Sequence, residues 1–132
     1  MIVLDCSMLG SWLIPDEASE EHDHVLGRVQ AEGVLVPSIW DLEIANLLTM
    51  CVRRGRMDAV TAAAALAFVD AIPAQRAPDL PRSVVYGCAL RHALTAYDAA
   101  YLLVASDHGL PLATTDRALI AAAPAAGVPL LG

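Results

Sequence analysis

Short apolar runs alternate along the chain with longer stretches in which apolar residues recur every three or four positions. Residues 2–5, 34–37, 76–78, 112–114 and 128–131 read as short strands. The stretches between them read as helices. The first covers 7–14 and stops at Pro15. The second covers 17–31 and ends at Gly33. Ser38 is placed to cap a helix reaching about residue 54, with Leu42, Ala45, Leu48 and Val52 on its apolar face and Gly55 closing it. Asp58 caps a helix to about residue 71, whose apolar positions are Val60, Ala63, Ala64, Ala67, Phe68 and Ala71. Pro81 opens a helix to about 93, Thr95 opens one to about 107 with Gly109 after it, and Asp116 caps a short last helix. Strands alternating with helices predict a single α/β domain over residues 1–132, built on a parallel sheet. Ligands of such sheets bind at the carboxyl ends of the strands.

Four acids fall where that edge would form. Asp5 ends the first strand, Glu43 follows the second by a helical turn, Asp98 lies in the first turn after Thr95, and Asp116 follows the strand 112–114. Each also has an ordinary structural reading. Thr95 and Asp98 have the spacing of a capping box, and Asp116 is a good N-cap. Asp5 is placed to satisfy nearby backbone donors, and Glu43 to face a helix dipole. Taken together the four are harder to explain. Asp5 ends an apolar strand, and Asp98 stands within Ala96-Tyr97-Asp98-Ala99-Ala100-Tyr101-Leu102. Carboxylates against apolar surface are costly unless paired or bound to a cation. Two of them ~4 Å apart repel by about 4 kcal/mol at an effective dielectric near 20. A divalent cation would relieve this, and all-oxygen ligands favour Mg²⁺ or Mn²⁺ over zinc.

Composition narrows the chemistry further. Of the 132 residues 25 are alanine, and the eight basic residues are all arginine. Without lysine the chain has no P-loop, Schiff-base or phospho-receiver lysine. The net charge of −7 and pI near 4.8 argue against a basic nucleic-acid footprint. That objection weakens if the acids are concentrated under a metal, leaving Arg28, Arg53, Arg54 and Arg56 as a local basic rim. Those last three end a helix, so a contact with the helix dipole is the competing reading. The cysteines Cys6, Cys51 and Cys88 have no metal-type spacing and read as buried, reduced thiols. The amino-terminal stretch lacks a basic segment and carries Asp5 in its apolar run, so it does not read as a signal peptide. No apolar run reaches the ~18 residues of a membrane span. A cytoplasmic protein is expected.

Val3-Leu4-Asp5-Cys6-Ser7, Val36-Pro37-Ser38 followed by Glu43-Ile44-Ala45-Asn46, Tyr97-Asp98-Ala99, and Leu112-Ala113-Thr114-Thr115-Asp116 resemble, in order and spacing, the PIN-domain ribonucleases. The closest subgroup is the VapC-type toxins of toxin–antitoxin pairs. The resemblance runs from residue 2 to about 131. It implies a three-layer α/β/α sandwich with a parallel central sheet and Mg²⁺- or Mn²⁺-dependent endonucleolytic cleavage of RNA. It also implies Asp5, Glu43 and Asp98 as a core acidic triad, with Asp116 as the fourth acid and all four as metal ligands. Ser7 and Thr114 match supporting hydroxyl positions, and Asn46 matches a polar position placed to steady Glu43. A homodimer and a cognate antitoxin are implied as partners. Thr115 stands where many relatives carry a basic residue, which leaves Arg117 as a substitute phosphate contact beside Arg53, Arg54 and Arg56.

Other features carry less. His22-Asp23-His24 reads as a solvated helical face, and Trp12 and Trp40 as core or interface anchors. The alanine-rich helix 58–71 is suited to close packing, in a dimer or in the core. No Gly-x-Ser-x-Gly or Gly-x-Gly-x-x-Gly motif is present, so a serine hydrolase or a dinucleotide site is not expected. The alternatives are a catalytically silent PIN-like module that binds RNA or protein, and a small phosphohydrolase. The latter lacks the second acid of an Asp-x-Asp motif, since Cys6 and Ser7 follow Asp5.

Overall fold

The computed structural model describes residues 1–131; Gly132, the last residue of the expected domain, lies outside the described residues. Among the described residues five short strands are embedded among seven helices. In chain order they are β1 (Val3–Leu4), α1 (Cys6–Leu13), α2 (Glu20–Glu32), β2 (Val34–Val36), α3 (Ile39–Arg53), α4 (Ala59–Asp70), β3 (Ala74–Arg76), α5 (Arg82–His92), α6 (Ala96–His108), β4 (Leu112–Ala113), α7 (Arg117–Ala122) and β5 (Leu130–Leu131). Single 3-10 turns span Pro15–Glu17 and Pro124–Ala126.

Every strand pairing among the described residues is parallel. One ladder runs β1-β4-β5 and another β2-β3, and a parallel bridge between Ile2 and Val34 joins them. The strand order is therefore β3-β2-β1-β4-β5. Parallel strands buried on both faces need continuous apolar runs, and residues 2–4 and 34–36 are all buried. The right-handed rule for parallel crossovers puts α1 to α4 on one face and α5 to α7 on the other. In keeping with this, α1 packs on α2 and α3, while α6 crosses β1, β2 and β4. This is the expected three-layer α/β/α arrangement. Chain direction across the sheet reverses between β1 and β4, which opens a crevice beyond their carboxyl ends.

Several local expectations are corrected. The helix expected over 17–31 begins only at Glu20, because Pro15 opens a separate turn and Ala18 and Ser19 are extended. Ser38 does not cap α3: its backbone is helical and its hydroxyl donates to Asp79 instead, at 3.3 Å. The third strand lies two residues earlier than expected, because pairing starts with the Val34 N–H donating to Pro73 O and ends with the Ala77 N–H donating to Val36 O. Gly33 adopts φ +75°, and a Cβ there would stand 3.1 Å from Pro73 O, so this close approach of β2 and β3 needs glycine.

The apolar faces of α3 and α4 are also not those expected, although Leu48 is buried as expected. Leu42 is 68% and Val60 80% exposed. The buried residues are Trp40, Ile44, Leu48 and Cys51 on α3, and Ala62, Ala65 and Val69 on α4. His22 is half-buried, with its Nδ1 against the Ser11 hydroxyl, and the Trp12 indole donates to His22 O at 3.0 Å. That face of α2 is thus docked on α1. Trp40 lies fully in the core. All three cysteines are free and buried. Among the described residues no helix is long and apolar enough to cross a membrane.

Candidate active site

A cleft of about 390 Å³ opens at the carboxyl edge of the sheet, and Asp5, Ser7, Glu43, Asn46, Asp98 and Asp116 line it with Glu17 and Arg56. Each acid arrives by a separate route. Asp5 is the residue after β1, where the chain leaves the sheet to enter α1. Asp116 follows β4 and accepts the Leu119 N–H at 3.0 Å, so it caps α7 while facing the cleft. Asp98 lies in the first turn of α6, which is started by Thr95 accepting the Asp98 N–H at 3.1 Å. Only that half of the capping box forms: among the described residues the Asp98 carboxylate makes no backbone bond to Thr95. Glu43 reaches in from the second turn of α3.

Asp5 is the buried member, at 3% exposure. Its Oδ2 accepts from Ser7 Oγ at 2.6 Å and from Thr114 Oγ1 at 2.7 Å. Each hydroxyl has a single proton, so both protons are committed to Asp5, and the 3.1 Å approach of the two hydroxyls is a contact without a proton. The same oxygens also accept: Ser7 takes the Thr115 N–H and Thr114 the Asp116 N–H, both at 3.0 Å. The pair therefore ties the β4–α7 loop, and Asp116 with it, to Asp5. Thr114 is buried beneath the cleft and does not line it.

Glu43 is held by a residue the sequence did not single out. The fully buried Tyr101 donates its hydroxyl to Glu43 Oε1 at 2.7 Å, whereas Asn46 is exposed and makes no bond to Glu43 among the described residues. Tyr101 lies one turn beyond Asp98 on α6, and that spacing was the available signal.

The electrostatics follow from burial and like charge. Burial raises the Asp5 carboxyl above its ordinary value, against the hydroxyls that lower it, and Asp116 raises it further. Glu43 is raised by burial and by Asp5 and Asp116, with the Tyr101 bond opposing. Asp98 is pushed up to about 6, first by burial and then by Asp116, Asp5 and Glu43. The Cys6 thiol, also in the cleft, is pushed up to about 12 by burial and then by Glu43 and Asp5, so it stays a neutral thiol at pH 7. The donor set is thus carboxylate oxygen, which suits a hard cation. No three His, Cys, Asp or Glu side chains among the described residues stand close enough to hold one ion.

The arginines divide. Arg56 lines the cleft; Arg53 instead lines an apolar groove between α3 and α4, and Arg54 and Arg117 are exposed outside the cleft lining. Arg28 pairs with Glu32 at 2.7 Å on α2 and is not part of a rim.

Comparison with known proteins agrees with this architecture. The PIN domain family model matches residues 2–124. Ribonuclease VapC3 of Pyrobaculum aerophilum is 30% identical over 132 residues, covering 97% of this chain and 98% of its own. Ribonuclease VapC1 of Mycobacterium tuberculosis is 37% identical over 86 residues, 65% of each chain. The crystal structure of PAE2754 from Pyrobaculum aerophilum superposes with a TM-score of 0.71 at 29% identity, over 91% of this chain and 82% of that one.

Proposed function

The chain belongs to the PIN-domain family, among its VapC-type ribonucleases, and on that premise we propose that it is a Mg²⁺- or Mn²⁺-dependent endoribonuclease, the toxin of a toxin–antitoxin pair. One observation carries the reading. Four carboxylates from the β1–α1 junction, α3, α6 and the β4–α7 loop share one cleft, and three of them are raised by burial and mutual repulsion. Buried like charge at a strand-end crevice is unfavourable for the empty fold and favourable for a cation. The absence of a tight three-ligand cluster among the described residues accords with Mg²⁺, which takes one or two carboxylates and keeps several waters.

On this reading one or two of the carboxylates Asp5, Glu43, Asp98 and Asp116 touch the ion directly and the others hold it through its waters. When bound it supplies charge neutralisation at the scissile phosphate and activates water for attack. Ser7 and Thr114 fix Asp5 and the loop of Asp116, and Tyr101 orients Glu43. Arg53, Arg54 and Arg117 supply weaker phosphate contacts outside the cleft. The antitoxin and a second copy of the chain are the proposed partners, and the cytoplasm the proposed location.

The test is cleavage of single-stranded RNA in Mg²⁺ or Mn²⁺, with Asp98→Asn beside the parent. The parent is expected to cut and the variant to lose the activity and any growth arrest on expression. RNA binding without cleavage under either metal would instead identify a silent binding module.

A further inference from the structure

We propose that Arg56 is the residue that positions the substrate phosphate in this cleft, and that Asp16 and Glu17 restrain it in the free protein. The inference rests on the nuclease reading and adds to it a grip on the RNA backbone together with a built-in competitor for that grip.

Among the described residues Arg56 is the one basic side chain that lines the acidic cleft. A polyanion entering a site already crowded with carboxylates needs a positive partner there besides the metal. The guanidinium of Arg56 is also only partly engaged. Its Nη2 lies 3.4 Å from both Asp16 carboxylate oxygens and 3.7 Å from Glu17 Oε1. Nη1 and Nε have no partner among the described residues. By contrast Arg28 gives Nε and Nη2 to Glu32, and Arg76 gives all three nitrogens to Asp41 and Ala74 O. An arginine fork matches two oxygens of a phosphodiester as it matches a carboxylate, so one anion can replace the other on Arg56.

The restraint is built to yield. Its contacts are long, and the Arg56, Asp16 and Glu17 side chains are 40%, 75% and 45% exposed, so they are weak in water. Glu17 Oε2 lies over the bare backbone of Gly10, where a Cβ would stand 2.7 Å from it and push that carboxylate aside. Glu17 also lines the cleft, where its charge opposes an incoming phosphate.

The test measures binding of a short fluorescent single-stranded RNA in millimolar Mg²⁺ at several salt concentrations, in an Asp98→Asn background that does not cleave. Arg56→Ala is expected to weaken binding on the order of 10-fold and to lower the salt slope by about one. Arg56→Lys should restore the slope but only part of the affinity. Asp16→Asn with Glu17→Gln should tighten binding several-fold, as should Gly10→Ala, which removes no charge. With Asp98 intact, Arg56→Ala should raise KM more than it lowers kcat. Unchanged affinity and slope in Arg56→Ala, or unchanged or weaker binding in both release variants, would overturn the proposal. A parent that cleaves with a KM insensitive to Arg56 sinks this inference alone. A parent that cleaves no RNA sinks the nuclease reading, and the binding arm then still decides whether Arg56 holds phosphate.

Discussion

At the scale of single residues the acids differ in what holds them, and they should respond differently to neutralisation. A carboxyl raised in the folded state binds more protons there than in the unfolded chain. Asp98, pushed up to about 6, therefore costs metal-free stability progressively as pH rises from about 4 to 6, and in full above that. Asp98→Asn removes the penalty. It should melt about 3–5 °C above the parent at pH 7.5 in a chelator, from a gain of order 1 kcal/mol after allowing for solvent screening. The two should converge at pH 4; equal melting at pH 7.5 would mean that neither burial nor the neighbouring carboxylates penalise the Asp98 charge. Asp5→Asn should gain less, because its Oδ2 already accepts two hydroxyls. Tyr101→Phe keeps the buried ring but removes the donor to Glu43. Mg²⁺ affinity, read from the metal dependence of the melting temperature, should fall by about 10-fold, as for other groups that orient a ligand. The acids were legible in the sequence because charge inside apolar runs is conspicuous. Tyr101 was not, because a tyrosine in an apolar helix reads as core until α3 is known to bring Glu43 against it.

At the scale of elements the alternation of strands and helices was legible, and the faces of the helices were not. In α4 alanines occupy positions on every side, so the three-to-four-residue spacing fits several rotations equally well. Packing chose Ala62, Ala65 and Val69, while Ala63, Ala64 and Ala67 face out. In α3, Leu42 and Val52 suggested one stripe, yet Trp40 and Ile44 carry more buried area and took the core. The shift of β3 has a similar cause, since Ala74 and Gln75 do not look like strand residues but pair on an open edge. The observed rotation of α4 has a direct consequence. Ala65→Leu should overpack the core and cost about 1–3 kcal/mol, whereas Ala64→Leu should change stability by no more than about 0.5 kcal/mol. Urea midpoints of the two variants separate the observed face from the one the spacing suggested.

At the scale of the molecule, a chain with net charge −7 is proposed to act on a polyanion, and the fold reduces the conflict by geometry. The reversal of strand order between β1 and β4 gathers Asp5, Thr114 and Asp116 at one crevice, and α3 and α6 bring Glu43 and Asp98 to it from opposite faces of the sheet. The repulsion concentrated there is a store of free energy that a divalent cation would release on binding. On the proposed reading folding and metal binding are therefore coupled. At a hundred times its dissociation constant, Mg²⁺ or Mn²⁺ should stabilise the parent by about 2.7 kcal/mol. The effect should be several degrees of melting temperature at pH 7.5 and should be much smaller in Asp98→Asn. It should also fade as pH drops below about 6, because a proton on Asp98 competes with the ion. Calorimetric melts of parent and variant across pH 5 to 8, with and without metal, measure all three dependences together. A metal response that ignores both pH and Asp98 would place the ion somewhere other than this cleft, and the repulsion at the strand ends would then have no functional counterpart.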